Sequence, residues 1–190
     1  MDQQKTPLPV LQAWTGVARS VLRCCVLLGQ RRLHLPRVHV GRRLTFADGT
    51  AGTVYRETRV TGAAPVAPCL LVVGFRLRGV RGRWGHAFFR AESLLNTPLF
   101  AGFPGLVSKL WVAADERGVY RGVYEWDGPA RAEAYARSLW RVLALVSVRG
   151  SISFHVTPGL RRDDVLADPA LLGTGLPAEG ADWWRLVGVA

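Results

Sequence analysis

The sequence predicts an α+β fold in which one antiparallel sheet carries two helices on a single face. Three observations predict it. Four segments between residues 69 and 157 alternate apolar and polar side chains, as strands do, and two segments between them have helical spacing. Their order is β-α-β-β-α-β, the ferredoxin-like pattern. Right-handed crossovers then place both helices on the same side of the sheet.

Each element has its own local signal. The first helix lies within 85–100, and Pro98 ends it because proline cannot continue a helix. The second helix runs from about 129 to 146, after Asp127 as its N-cap and with Pro129 in its first turn. The predicted strands are "CLLVVGFRLR" (69–78), "GLVSKLWVA" (105–113), "GVYRGVYEW" (118–126) and "VRGSISFHVT" (148–157).

Residues 1–62 are predicted to form an N-terminal extension made of an amphipathic helix and a β-hairpin. Apolar residues at three- and four-residue spacing place the helix at 9–30, and Asp48-Gly49 between two strand-like runs predicts the hairpin. We expect the helix to pack on the body of the protein or on a second subunit. Because its polar side carries Arg19 and Arg23, contact with a membrane surface is the alternative.

The ferredoxin-like domain spans 69–157, and residues 158–190 follow it as a tail. This tail contains Trp183 and Trp184, two large apolar side chains that a free segment would leave in water. We therefore expect the end of the tail to dock.

The chain is basic, with 25 Lys and Arg against 14 Asp and Glu and a net charge of +11. All but two of these basic residues are arginine, as a GC-rich coding bias would produce, so the charge alone does not predict a nucleic-acid partner. Three cysteines without a CxxC pair favour a reducing, cytoplasmic location over disulfides or zinc. Arg19 and Arg23 interrupt the only long apolar stretch before it could span a bilayer, so we expect a soluble protein.

Alternation divides the side chains of each strand between the two faces of the sheet. The apolar set should meet the helices, and it includes Leu106, Leu110 and Val112 of the second strand with Tyr124 and Trp126 of the third. The opposite, polar set is Gly74, Arg76, Arg78, Lys109, Trp111, Arg121, Glu125, Arg149, Ser151, Ser153 and His155. Three alternatives stay open for this polar face: it meets water, binds RNA, or faces a second sheet and encloses a cavity. Trp111 is its only large aromatic side chain, whereas RNA-binding sheets expose several, so we expect no nucleic-acid partner.

The stretch "FPGLVSKLWV" followed by "GVYRGVYEWDGPARAEAYARSL" resembles the small dimeric α/β-barrel proteins of the antibiotic-biosynthesis monooxygenase superfamily. In that family a Pro-Gly leads into the second strand, and the third strand ends in an acidic-aromatic-acidic step, here Glu125, Trp126 and Asp127. The resemblance covers about half of the chain. It implies a homodimer whose two sheets form a barrel, with a small-molecule pocket inside the barrel or between each sheet and its helices.

The polar face then supplies the candidate site. Trp111 can stack on an aromatic ring, while Arg121, Glu125 and Lys109 can bind or stabilise a phenolate or oxyanion. The alternative for Arg121 and Glu125 is an ion pair without catalytic role. We expect a catalytic role for His155, Trp111, Arg121 and Glu125, and substrate binding by Arg76, Lys109, Ser153 and His86.

The resemblance implies a cofactor-independent monooxygenase that acts on an aromatic or polyketide-like phenol in a natural-product pathway. Two alternatives remain, a cyclase or isomerase on the same barrel and a non-catalytic module that binds haem, another ligand or a partner protein. Haem degradation would need a well-placed helical histidine, for which only His86 qualifies. Nucleotide-binding and zinc-hydrolase motifs are absent from the sequence, and we expect no cofactor or metal.

Overall fold

A computed structural model describes residues 9–62, 64–79, 97–173 and 182–190. Among the described elements, one helix is followed by four consecutive strands, and a short 3₁₀ helix, Pro169–Leu172, precedes the last strand. The other elements are α1 (Val10–Gly29), β1 (Leu33–His34), β2 (Arg43–Phe46), β3 (Ala51–Val60), β4 (Pro68–Arg76), α2 (Pro98–Ala101), β5 (Leu106–Val112), β6 (Val119–Asp127), α3 (Pro129–Val146), β7 (Ser153–Pro158), α4 (Arg162–Ala167) and β8 (Leu186–Val189).

The eight described strands form one sheet in the order β7-β4-β6-β5-β3-β2-β8, and β1 pairs with β3. Every pairing is antiparallel. Strand β4 lies between β7 and β6, and β5 lies on the other side of β6, which is the strand order of a ferredoxin-like unit. The predicted α+β class and ferredoxin-like sheet are confirmed.

The helices compare unevenly with the prediction. Helix α3 has the predicted bounds and begins with Pro129 in its first turn, but its N-cap is Gly128, and the predicted N-cap Asp127 is wrong. The first predicted helix falls largely on residues 80–96, which lie outside the described residues. Pro98 begins helix α2, where a proline is suited to the first turn because its nitrogen needs no hydrogen bond there.

The N-terminal hairpin is part of the main sheet. Strands β2 and β3 join through the predicted turn, where Gly49 has a φ of 80° that favours glycine. Strand β3 then pairs with β5, opposite Leu110 and Trp111 among others. The hairpin thereby extends the ferredoxin-like sheet at its β5 edge.

One hydrophobic core, which we call the helix-side core, lies between the sheet and helices α1, α2 and α3. Helix α1 contributes Cys24 to it, α2 contributes Phe100, and α3 contributes Tyr135. From the strands it receives Leu71, Val73, Leu106, Trp111, Tyr124, Trp126 and Phe154.

A second core, the far-side core, fills the opposite face of the sheet. The chain itself covers this face, with Phe46 from β2, Val165 and Leu166 from α4, and Leu186 from β8. Trp183 and Trp184 pack against it, so the end of the tail is docked on the sheet. The remaining buried members are Leu44, Val54, Leu70, Val72, Leu110, Val112 and Val123. A homodimer stays a prediction.

The predicted faces of strand β5 are wrong. A β-bulge lies between Leu106 and Ser108, so that Leu106 stands opposite Trp126 but Lys109 stands opposite Tyr124. One extra residue reverses the alternation beyond the bulge. Trp111 and Lys109 therefore point to the helices, in the helix-side core. Leu110 and Val112, which were expected there, are in the far-side core instead.

Candidate functional site

The residues predicted to form one site are divided among three places. Lys109 and Trp111 lie in the helix-side core, Glu125 lines a cleft at the start of β5, and Arg76, Arg121 and Ser153 line a smaller pocket on the far side. The bulge in β5 accounts for the first separation. These six side chains therefore do not share one polar face of the sheet.

The buried amine of Lys109 is surrounded by aromatic rings. Its Nζ lies 3.2 Å from the ring centroid of Trp111, 4.2 Å from that of Phe100 and 4.8 Å from that of Tyr124. Among the described residues, none of the hydrogen bonds and ion pairs involves this amine. Burial lowers the pKa of Lys109 well below its ordinary value, and the nearby Arg56 cation lowers it further.

The rings around Lys109 are held by polar contacts of their own. Trp111 Nε1 donates to Thr58 Oγ1 at 3.1 Å, and Tyr135 donates its hydroxyl proton to Tyr124 Oη at 3.2 Å. Burial raises the pKa of both tyrosines, so the hydroxyls stay protonated at neutral pH. The cluster is a buried part of the core, and neither Lys109 nor Trp111 lines the cleft or the smaller pocket described below.

A cleft of about 520 Å³ opens beside this core, where β5 begins and β6 ends. Its apolar wall includes Phe103 and Leu106, and the Phe103 ring also meets the edge of Tyr135. This volume suits a small molecule. The other lining residues are Arg23, Leu27, Arg32, Arg59, Val60, Thr61, Gly62, Ala64, Pro65, Ala101, Gly105, Val107, Glu125, Asp127, Arg131 and Arg161.

Glu125 is the buried carboxyl group of the cleft. Its side chain is 2% exposed, and Oε1 lies 3.4 Å from Nε of Arg161, a contact too poorly aligned to be a hydrogen bond. Within the described residues, Oε1 has no hydrogen-bond donor. Burial raises the pKa of Glu125, and Arg161 opposes this shift. The pKa of Glu125 is therefore higher than that of an exposed glutamate.

Five arginines stand around Glu125, namely Arg23, Arg32, Arg59, Arg131 and Arg161, and all are exposed. They come from α1, the segment after it, β3, α3 and the segment before α4. Asp127, the second carboxylate, accepts the backbone N–H groups of Val66 and Ala67 at 2.9 Å. It therefore has a structural role, and the charge of the cleft favours an anionic ligand.

These arginines were missed by sequence reasoning, because they are far apart in the chain and no local pattern joins them. Only Arg131 had a local signal. It lies four residues after Asp127, and their side chains approach to 3.4 Å.

Arg121 lies on the far side, as predicted, but all its nitrogens have protein partners. Nη1 donates to Asp115 Oδ2, Nη2 to Thr50 Oγ1 at 2.9 Å and Asp48 Oδ2 at 3.2 Å, and Nε to the Trp183 carbonyl at 3.1 Å. These contacts join the hairpin, the β5–β6 turn and the docked tail. Arg121 thus forms ion pairs with Asp48 and Asp115, and not with Glu125 as the alternative interpretation supposed.

Arg76 and Ser153 line a pocket of about 240 Å³ beside Arg121. Arg149 and Ser151 complete that side, and Trp183 packs against Gly74, where a Cβ atom would lie 2.8 Å from the indole. The glycine leaves room for the indole, which closes one end of the pocket. The pocket is separate from the cleft.

Two histidines, His155 and His86, were predicted to belong to the site. His155 stacks on Trp184 with ring centroids 3.5 Å apart and an angle of 5° between the planes, so the docked tail covers it. His86 lies outside the described residues. His155 is not among the residues that line the cleft or the smaller pocket.

A buried charge network near α4 was not predicted. Arg162 Nη2 donates to Glu57 Oε1 at 2.9 Å, and His39 Nδ1 lies 3.0 Å from Glu57 Oε2. Arg162 also binds Asp163 of its own helix. The sequence offered no signal for these pairs because β3 and α4 lie at opposite ends of it. Among the described residues, His, Cys, Asp and Glu side chains form no group of three that could hold a metal ion.

Known proteins resemble this chain in fold but not closely in sequence. No protein-family model matches the chain, and no curated protein matches it. A search of the described residues found no helix with the length and apolar character needed to cross a bilayer.

Several solved structures are similar in fold. An uncharacterized ferredoxin-fold protein from Listeria monocytogenes, related to antibiotic biosynthesis monooxygenases, has 13% identity over 60% of this chain and a TM-score of 0.42. A monooxygenase-like protein from Listeria innocua has 15% identity over 60% and a TM-score of 0.41, and an anthrone oxidase-like protein has 13% over 59% and 0.35.

The matches span 66%, 67% and 57% of those three chains, so the first is covered over just under two thirds of its length. Relatives of the superfamily that the sequence resembles are thus among the similar structures.

Proposed function

We propose that the protein is a small-molecule enzyme whose first step removes a proton from an aromatic or polyketide-like phenol bound in the cleft. One observation supports this most, the buried Glu125 carboxyl group at a cleft rimmed by five arginines. The deprotonated substrate then reacts with dioxygen, without a cofactor, as the family resemblance implies.

Glu125 is the proposed general base. A base works best when its pKa is near the working pH, and burial moves the pKa of Glu125 upward. Oε1 is buried and has no hydrogen-bond donor among the described residues, so we propose that a small shift of this carboxyl group into the cleft lets it accept a proton from a bound phenol or activated C–H group. The charge of Arg161 opposes the rise in the pKa of Glu125 and so favours the ionised, proton-accepting form.

The arginines are proposed to stabilise the anion that forms. A guanidinium group donates strong, charge-assisted hydrogen bonds to an oxyanion, and the cleft supplies several guanidinium groups around one apolar wall. Phe103 and Leu106 would contact the ring of the substrate while Arg161 and its neighbours face the oxygen.

The oxygenation step balances with dioxygen as the oxidant. The substrate carbanion gives its electrons to O₂, one oxygen atom becomes the new carbonyl of the substrate, and the other leaves as water. A methylene group loses two hydrogens in this conversion, and Glu125 accepts the first as a proton. An isomerase or cyclase would use the same base without consuming O₂.

Turnover of a panel of hydroxylated polycyclic phenols tests the proposal, with O₂ uptake and product mass as readouts. Glu125→Gln removes the proton acceptor, keeps the shape and introduces no charge, so we expect turnover to fall by at least about 100-fold. Glu133→Gln on α3 is the matched control. Ser153→Ala reports on the far-side pocket, which is outside the proposed site. Turnover that survives in Glu125→Gln but falls in Ser153→Ala would overturn the assignment of the cleft.

The pH profile provides an independent readout. Activity should rise with pH as Glu125 ionises. Because Arg161 lowers the pKa of Glu125, Arg161→Gln should move this rise to higher pH. An unchanged profile in Arg161→Gln would contradict the role of Glu125 as the base. Product formation without O₂ uptake would replace oxygenation by isomerisation or cyclisation, and ligand binding without turnover of any phenol would favour the binding-module alternative.

A further inference from the structure

Helix α1 has two apolar faces, only one of which the protein covers. Its inward face packs in the molecule through Ala13, Val17, Ser20, Cys24 and Leu27. The outward apolar face, which we call the α1 stripe, consists of Val10, Leu11, Trp14, Leu22, Val26 and Leu28, all exposed. Leu11 is 77% exposed and Leu22 70%.

The positions of these residues show that the stripe is continuous. With about 100° between successive residues, the six side chains fall within an arc of roughly 160°. Gln12, Arg19 and Arg23 lie between this arc and the inward face, on the remaining side of the helix. Scattered apolar side chains need no explanation, but a contiguous apolar surface on one helix indicates a partner.

Charge identifies the kind of partner. Between Asp2 and Asp48 the sequence contains no acidic residue, whereas arginines occur along one edge of the stripe and just after α1. These arginines are Arg19, Arg23, Arg31, Arg32, Arg37, Arg42 and Arg43. Two copies that met through α1 would bring like charges together, which disfavours a second copy of the chain. An anionic surface would neutralise the charge.

We propose that α1 binds the surface of an anionic lipid bilayer, with its stripe among the acyl chains and its arginines at the headgroups. Interfacial helices have this combination of a wide apolar face and basic flanks. Trp14 suits the boundary between the two, because indole has an apolar body and a polar N–H group. The helix lies in the plane of the membrane and does not span it. The proposal depends on α1 and the arginines that follow it, and not on a reaction in the cleft.

Sedimentation with lipid vesicles tests the proposal on the purified full chain. The vesicles are phosphatidylcholine alone, and equal parts of phosphatidylcholine and phosphatidylglycerol. We expect binding to the mixed vesicles, weaker binding at high salt, and little binding to phosphatidylcholine alone. The double variant Leu11→Ser/Leu22→Ser should lower the partition coefficient by at least about tenfold, since two apolar side chains no longer enter the bilayer.

The controls separate lipid binding from unfolding and self-association. Leu11 and Leu22 are exposed, so their replacement leaves both cores intact, and an unchanged circular dichroism melt verifies this. Leu171→Ser, at an exposed leucine of the 3₁₀ helix, should bind like the wild type. Equal binding by the double variant, or no preference for phosphatidylglycerol, would overturn the proposal. So would a dimer in analytical ultracentrifugation that the double variant dissociates, because the second copy would then be the partner.

Discussion

The surroundings of a buried basic side chain differ between the two faces of the sheet. On the far side, Arg121 and Arg162 each meet a carboxylate, Asp115 and Glu57 respectively. On the helix side, Lys109 has three aromatic rings around its amine, and its contacts among the described residues include no carboxylate.

On the far side, a buried cation is paired and helps to hold the structure together. On the helix side, burial favours the neutral form of the amine. A paired guanidinium stays ionised and joins distant segments, as Arg121 joins the hairpin to the tail. An amine in an apolar surrounding escapes the cost of burial by losing its proton. Ion pairs should therefore matter most to far-side stability, whereas packing should matter most on the helix side.

The largest effect is expected from Glu57→Ala. The variant removes a carboxylate from Arg162, which is fully buried, and leaves the cation underpaired. We expect a loss of about 3 kcal/mol in the free energy of unfolding, measured by urea denaturation. Arg59→Ala is the control, since its pair with Asp163 is exposed and should contribute less than about 1 kcal/mol. Equal effects of the two variants would remove the distinction between buried and surface pairs.

Gly102→Ala tests the packing of the helix side. A Cβ atom at Gly102 would collide with the Ser20 carbonyl of α1, so the helix must shift. The expected loss is about 2 kcal/mol, by thermal or urea unfolding. Gly29→Ala adds a methyl group at the end of the same helix, where nothing lies within 4 Å, and should not destabilise the protein. If Gly102→Ala leaves the free energy of unfolding unchanged, α1 is not closely packed against Gly102.

Lys109→Met tests whether the amine is neutral in the folded state. The folded pKa is lowered, so between it and the ordinary value of 10.5 the unfolded chain holds a proton that the native protein lacks. Wild-type stability should then rise with pH in that window. The methionine variant lacks this cost and should be more stable by about 1 kcal/mol at neutral pH, with a gap that narrows towards pH 10.5. A gap independent of pH, in paired urea titrations, would show that Lys109 stays charged.

The smallest effect is expected from the stack of His155 on Trp184. A double-mutant cycle with His155→Ala and Trp184→Ala should give a coupling of about 0.5–1 kcal/mol beyond the loss of buried area. The cycle measures how much the stack of these two rings contributes to the docking of the tail on the far side. No coupling would indicate that β8 and the far-side core hold the tail without this contact.

Local patterns predicted the elements well because they depend on neighbouring residues. Helical spacing placed α1 within one residue at each end and α3 without error, and Asp48-Gly49 identified the hairpin. The alternation on β6 correctly separated Tyr124 from Arg121 and Glu125.

Prediction failed where one residue or a distant contact decided the outcome. The bulge before Ser108 has no signature in "GLVSKLWV", yet it moved Lys109 and Trp111 to the other face. Glu125 was identified as a site residue, but the cleft around it was not, because α1, β3 and α3 bring its arginines together only in the folded chain.

The pairing of β2 with β8 has a consequence for the order of folding. Leu44 stands opposite Val189, so strands from nearly opposite ends of the chain must meet before the far-side core is sealed. Loop closure over such a distance is slow, whereas β5, β6 and α3 need only nearby segments. The helix side can therefore form first during synthesis, while Phe46 and Leu70 stay uncovered until the last strand arrives. In that interval the far face is the surface on which a chaperone would act.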